Sequence, residues 1–305
     1  MSSDDGEQMT KRKTVAVLFH ESTPPSRFRT YRIWHVAEYW TRWGIDVRFV
    51  QGPSADVSAD LLIPHIDLSV IPDEYLPLLD RAKMVMNRRI VDIRKTAFSR
   101  NLVTPDDDYD GPVIVKTNCN YAGHPERHAF GKPPLSRRVA AALRQLARTH
   151  SLSKLAYTDA LNPNAYPIYP SKRRLPRGVF ENPNLVVERF VPEMDGSYYY
   201  IRGHYFLGSV DFAMGMRSKC PVIKGANATD LEYVPVDESI IAARHEMGFD
   251  CGKFDYVIHD GEAVLLDVNQ TPTFGRVFTT EHREEIAARL ARGITAWFPD
   301  IQIPD

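Results

Sequence analysis

Phe254-Asp-Tyr-Val-Ile-His259-Asp-Gly-Glu-Ala263-Val-Leu-Leu-Asp-Val-Asn269 reads as a β-hairpin, and its register decides the fold of this 305-residue chain. Asp260-Gly261 is a strong tight-turn signal between two apolar runs. Two registers compete. A strict two-residue loop pairs Phe254 with Asp267, a ring against a carboxylate. A three-residue loop pairs Phe254 with Val268, Tyr256 with Leu266 and Ile258 with Val264, and one face is then wholly apolar. A one-residue slip turns every side chain to the other face, so a buried face selects the second register. Asp255 then lies across from Asp267, with Asn269 two residues along. Bare carboxylates held roughly 5 Å apart repel each other. A divalent cation removes that penalty, and Mg²⁺ takes a few carboxylates together with phosphate oxygens. Asp255, Asp267 and Asn269 are therefore candidate metal ligands. The alternative is a pair of acids on a solvated sheet face.

Outward from the hairpin, Val113-Ile-Val-Lys116 is an apolar strand ending in a lysine. The small-residue loop Thr117-Asn-Cys-Asn120-Tyr-Ala-Gly123 follows it, an arrangement that can hold phosphate charge. Val186-Val-Glu188-Arg189-Phe190-Val191-Pro192 is a short apolar strand carrying one acid, and a nucleobase pocket needs apolar walls, strand backbone and a polar group. At the other end, Val15 to Phe19 is a buried strand and Val47 to Val50 a second one. Between them Ile33, Val36, Ala37 and Trp40 make a helical stripe, with Arg32, Glu38 and Arg42 on other faces and Gly44 as the stop. Strand, helix, strand is a βαβ unit, the seed of a parallel sheet.

The chain divides into a disordered tail at 1–13, an N-terminal α/β lobe at 14–100, a central lobe at 101–184 and a C-terminal lobe at 185–305. The central lobe includes a helix after Ser136 carrying Val139, Leu143 and Leu146. The C-terminal lobe is mostly strand, at 185–191, 197–202, 205–212, 254–259 and 263–269, and a last helix carries Ile286, Leu290, Ile294 and Trp297. The balance of 38 basic and 39 acidic residues, net charge −1, argues against nucleic-acid binding driven by overall charge. No apolar run reaches the ~20 residues of a membrane span. The polar start MSSDDGEQMTKRK has no signal core. Cys119, Cys220 and Cys251 are too few and too scattered for a disulfide framework or a zinc site. These features lead to the expectation of a soluble, cytoplasmic protein.

In this order the segments resemble the ATP-grasp superfamily, in the pattern of D-alanine–D-alanine ligase and glutathione synthetase, over roughly residues 85–276. The resemblance implies an α/β protein with α+β lobes: an ATP-grasp fold with an N-terminal βαβ lobe and two nucleotide-binding lobes. ATP and Mg²⁺ are its implied cofactors, with Mn²⁺ as a substitute. Lys95 and Lys116 resemble the two nucleotide lysines, and Asn120 and Gly123 stand for the phosphate loop. Glu188 would face the adenine amine, with Arg189, Phe190 and Val191 around the ring. Asp195 sits at the ribose position, with Glu193 competing for it. Asp255, Asp267 and Asn269 resemble the metal ligands; Asp267 replaces the commoner Glu and is one methylene shorter. Lys253 stands where an arginine commonly stabilises the acyl-phosphate, and lysine lacks the planar fork. Lys224 is the other catalytic candidate, placed to meet phosphate. Arg276, Arg202 and His20 are the substrate candidates. The implied activity is carboxylate–amine ligation through an acyl-phosphate, on small-molecule or peptide substrates, by a monomer or homodimer. The alternatives are a kinase acting on a small-molecule hydroxyl and a decayed nucleotide-binding scaffold.

Overall fold

The computed structural model describes residues 12–131 and 154–304. β1 (Thr14–Phe19) is buried along nearly its whole length and lies between β2 (Asp46–Gln51) and β3 (Leu61–Pro64) in a parallel sheet. α1 (Arg32–Arg42) lays Ile33, Val36, Ala37 and Trp40 on one face of that sheet, as their spacing predicts. Just past its C-cap, Gly44 takes φ +85°, a left-handed geometry that costs glycine nothing. α2 (Leu76–Arg81) packs Leu78 and Leu79 on the opposite face. The short α3 (Lys95–Phe98) leads into a small antiparallel sheet, in which β4 (Val113–Thr117) runs between β5 (Ile168–Tyr169) and β6 (Leu185–Arg189). α4 (His124–Phe130) follows β4. The helix expected after Ser136 lies outside the described residues, as do residues 1–11 of the expected tail. The expected lobe boundary at 184/185 falls just before β6, which hydrogen-bonds to β4; sheet membership changes only after Arg189.

The third sheet is antiparallel, in the order β10-β9-β8-β11-β12, with β7 (Glu193–Asp195) alongside β8. Its strands are β8 (Tyr198–Leu207), β9 (Val210–Ser218), β10 (Leu231–Val234), β11 (Cys251–His259) and β12 (Glu262–Asn269). α5 (Glu238–Met247) precedes β11, and α6 (Thr280–Ala291) closes the chain back onto α1, where Trp40 Nε1 donates to Ala291 O at 2.9 Å. The expected break between 202 and 205 is absent: β8 runs straight through Gly203 and turns at Gly208, φ +56°. Gly203 serves close packing, because a Cβ there would lie 2.9 Å from both Lys253 Cε and the Tyr205 hydroxyl.

The hairpin holds both of the competing sequence signals. Asp260 (φ +51°) and Gly261 (φ +84°) form the tight two-residue turn, with His259 opposite Glu262. Phe254 nevertheless faces Val268 and Asp255 faces Asp267, as packing demands. A one-residue bulge reconciles the two, because Tyr256 pairs with Leu265 and Leu266 is the extra residue. The expected pairs Tyr256–Leu266 and Ile258–Val264 are thereby replaced by Tyr256–Leu265 and Ile258–Ala263. Phe254, Tyr256 and Val268 fill the core behind the sheet with Phe206 and Phe249.

Two imidazoles in this frame are held neutral. His65 at the end of the N-terminal sheet and His204 on β8 are buried, and burial lowers each pKa to about 3; at His204, Arg244 and His245 push the same way. In the unfolded chain each titrates near 6.5. The unfolded chain thus binds more protons between those limits. Stability is complete above about pH 6.5 and falls toward pH 3, by about 1.4 kcal/mol per pH unit for each histidine. Urea midpoints that decline from pH 7.5 to pH 5, with the decline lessened by His204→Phe, are the expected result.

Candidate active site

The central and C-terminal sheets face each other across a cleft with about 760 Å³ of free space, mouth included. Ile114, Tyr166, Phe190, Val191, Val222, Val257 and Leu266 give it apolar walls; Lys95, Lys116, Lys224, Asp255 and Asp267 line it with charge. The mixture suits an organic ligand with an apolar body and a charged end. Here the hairpin aims its acids. The bulge at Leu266 sits where β12 enters the cleft, and the Leu266 carbonyl accepts from Lys116 Nζ at 3.3 Å.

Each acid is already neutralised by a lysine from elsewhere in the fold or from its own strand. Lys95, buried at the start of α3, reaches Asp267 Oδ1 at 3.2 Å. Lys253 meets Asp255 Oδ1 at 2.5 Å. Lys116, at the end of β4, pairs with Glu188 Oε2 at 2.7 Å. Asp267 is held below the usual carboxylate range: burial opposes ionisation, and Lys95, Lys224 and Lys116 together override it. Burial lowers the pKa of Lys224, and Asp267 and Asp255 partly restore it. Four ammonium groups, Lys95, Lys116, Lys224 and Lys253, thus meet three carboxylates, Asp255, Asp267 and Glu188, an electrostatic environment that favours an added polyanion.

Among the described residues, no group of three or more His, Cys, Asp or Glu side chains is placed to hold a metal by itself. Two carboxylates beside a lysine cluster suit instead a hard cation that arrives with phosphate oxygens as its other ligands. By that test Asp255 and Asp267 fit Mg²⁺. Asn269 lies opposite Lys253, but its Oδ1 accepts from Thr271 N at 2.8 Å and shapes the following turn.

The remaining expected residues divide. Glu188, 1% exposed, does not line the cleft; it accepts from Ser99 Oγ at 2.5 Å and fixes Lys116, a different position from the expected adenine contact. Phe190, Val191 and Arg189 do line it, although the Phe190 N–H is spent on Pro112 O at 2.8 Å. Of the two ribose candidates Glu193 borders the cleft, whereas Asp195 is exposed and pairs with Arg217 at 2.5 Å. Arg202 is tied to Glu193 and stacks on Tyr200, so it is a strut for the cleft wall. Asn120 and Gly123 lie off the cleft, in a loop turned toward the N-terminal lobe. Asn120 N donates to Ser69 Oγ at 2.7 Å, and Tyr121, Ala122 and Gly123 are all left-handed. Arg276 is exposed, on a loop joined to the Lys224 loop by Val277 N to Gly225 O at 3.0 Å. His20 is buried against Tyr75, with Nδ1 2.8 Å from Ser22 Oγ.

The sequence reading missed Arg32 and Asp67. The helical pattern sets Arg32 on a solvated face, yet it is buried, because α1 starts directly beneath the loop after β12. Asp67 accepts from Tyr31 Oη and Thr271 Oγ1, each at 2.8 Å, and fastens the N-terminal lobe to the hairpin's end. Its place in a Pro-His-Ile-Asp turn gave no signal beyond polarity.

No helix of the described residues is long and apolar enough to cross a membrane. No family model and no curated protein matches the chain in sequence. Among solved structures it is similar to D-alanine–D-alanine ligase from Bacillus anthracis complexed with ATP, at 10% identity and TM-score 0.44, over 95% of this chain and 97% of that one. It is similar to D-alanyl-alanine synthetase A from Vibrio cholerae at 10% identity and TM-score 0.47, over 95% and 98%. It is also similar to the macrocyclase MdnB from Microcystis aeruginosa at 12% identity and TM-score 0.44, over 93% and 99%.

Proposed function

We propose that the chain is an ATP-dependent carboxylate–amine ligase of the ATP-grasp kind. The observation that carries this reading is the facing pair Asp255–Asp267, set among Lys95, Lys116 and Lys224 at the polar end of an apolar-walled cleft. The apolar walls around Ile114, Phe190, Val191 and Leu266 take the adenine, and the lysines take the phosphates. Asp255 and Asp267 would hold Mg²⁺, which would supply positive charge against that developing on a transferred phosphoryl group.

A substrate carboxylate oxygen forms a bond to the γ-phosphorus while the bond to the β-phosphate bridge oxygen breaks, and ADP leaves. An amine then bonds to the acyl carbon and loses a proton, the carbon–oxygen bond to phosphate breaks, and phosphate leaves. Lys253 and Lys224 offset the negative charge of both steps. No side chain needs to become a covalent intermediate; the chain positions reactants and excludes water.

The test is ADP release with Mg²⁺ across pooled amino acids and small carboxylates. Phosphate release that requires both a carboxylate and an amine supports ligation. Phosphate found on a hydroxyl favours the kinase, and tight ATP binding without turnover favours the scaffold.

A further inference from the structure

α3 is a single turn, and its two ends serve two of the lysines that line the cleft. Lys95 opens it and reaches Asp267 Oδ1 at 3.2 Å. Ser99 closes it, its N–H donating to Lys95 O at 2.8 Å. Asn118, two residues past Lys116, pins the turn to the end of β4. Its Oδ1 accepts from Thr96 N and Thr96 Oγ1, each at 3.1 Å, and its carbonyl accepts from Lys95 N at 3.0 Å.

Ser99 itself stands off the cleft. Its oxygen accepts from Asn101 N at 3.2 Å, and its proton goes to Glu188 Oε1 at 2.5 Å. The other oxygen of that carboxylate, Oε2, meets Lys116 Nζ at 2.7 Å. Glu188 is only 1% exposed, so each oxygen depends on a donor from the protein. An ammonium has three N–H groups. Lys116 spends one on Glu188 and one on Leu266 O at 3.3 Å, and the third is left for the cleft that Lys116 lines. That division holds while Ser99 satisfies Oε1. Without the hydroxyl, Lys116 has to serve both carboxylate oxygens, and it draws back from Leu266 O and the cleft to do so.

We propose that Ser99 is a positioning residue for nucleotide binding: through Glu188 it holds the Lys116 ammonium at the β12 bulge, with one N–H free for a phosphate oxygen. The spacing of the Lys95 and Lys116 ammonium groups is then set by one turn of helix. The phosphate contact rests on the ligase reading; the hold on Lys116 does not.

Calorimetric titration with AMP-PNP and Mg²⁺ reads the phosphate side. Ser99→Ala should weaken binding about tenfold, the loss that goes with one hydrogen bond to a charged group. Ser99→Thr keeps the hydroxyl, and the extended backbone at Ser99, φ −71° and ψ 128°, accepts a β-branched residue. It should stay within about twofold of wild type. In Lys116→Met, where Lys95 and Lys224 keep binding measurable, adding Ser99→Ala should change it by less than about twofold, which a merely structural serine would not do. Acetylation of Lys116 by acetic anhydride, read by peptide mass spectrometry against the exposed Lys219, needs no nucleotide. It should rise about fivefold in Ser99→Ala and not in Ser99→Thr. Folded Ser99→Ala that binds AMP-PNP as wild type does, or a loss as large in Lys116→Met as in wild type, overturns the proposal. Wild-type protein that binds no AMP-PNP overturns the nucleotide reading, whereas unchanged Lys116 acetylation in Ser99→Ala overturns the hold on Lys116.

Discussion

Replacing Asp255 and Asp267 together by asparagine is expected to abolish Mg²⁺-dependent ADP formation while leaving the fold in place. The two carboxylates face each other across β11 and β12 on the side away from Phe254, Tyr256 and Val268. Asparagine keeps their shape and removes both negative charges. Loss of several kcal/mol of transition-state stabilisation corresponds to a fall of about 10³-fold or more in turnover. A stability cost accompanies this, because Lys95, only 3% exposed, loses its carboxylate partner, but the apolar face of the hairpin that holds the core is untouched. Turnover measured by coupled ADP release, with near-ultraviolet circular dichroism on the same sample, checks both halves. Retained turnover would remove the hairpin from the site, and loss of the dichroism signal would mean that the acids bear on the core.

Phe254→Ala is expected to have the opposite profile, a large stability loss from the other face of the same strand. Phe254 is fully buried, edge-on to Phe206 at 5.1 Å and to Phe249 at 5.0 Å. Three rings packed this way cannot close over the space one leaves, because each is fixed by a different strand or loop. Removing a ring from such a cluster costs about 3–5 kcal/mol, a large share of the 5–15 kcal/mol by which domains are stable. The urea midpoint should fall accordingly, with Val268→Ala showing a smaller drop. A change under about 1 kcal/mol would mean that this face is loosely packed.

The hairpin was legible in the sequence because two local signals, the Asp-Gly turn and the alternation of apolar residues, bear on the same sixteen residues. Neither signal alone gives the bulge, which exists only because both are obeyed. β1, α1 and their connection were legible for a similar reason: the stripe Ile33, Val36, Ala37, Trp40 needs no distant partner to be recognised. Gly203 was misread as a break because its cause lies on a neighbouring strand, where Lys253 and Tyr205 need the space a side chain would fill. Glu188 was read as facing the cleft, whereas Lys116 and Ser99 turn it beneath the cleft surface. Arg32 shows the limit most plainly. A charged residue at a helix start reads as solvated, and only the fold brings Thr273, Phe274 and Tyr205 around it.

The supernumerary Leu266 has a consequence for how this chain tolerates changes in length. Deleting it would restore an unbroken ladder from the turn to Val268, giving a neater ribbon by every local criterion. Both halves would stay seated, because Leu265 and Val268 already face the core and Asp267 the cleft; what would be lost is the Leu266 carbonyl that accepts from Lys116 Nζ at 3.3 Å and an apolar side chain from the cleft wall. The extra residue therefore serves the cleft wall and Lys116, while the core behind the hairpin would close without it.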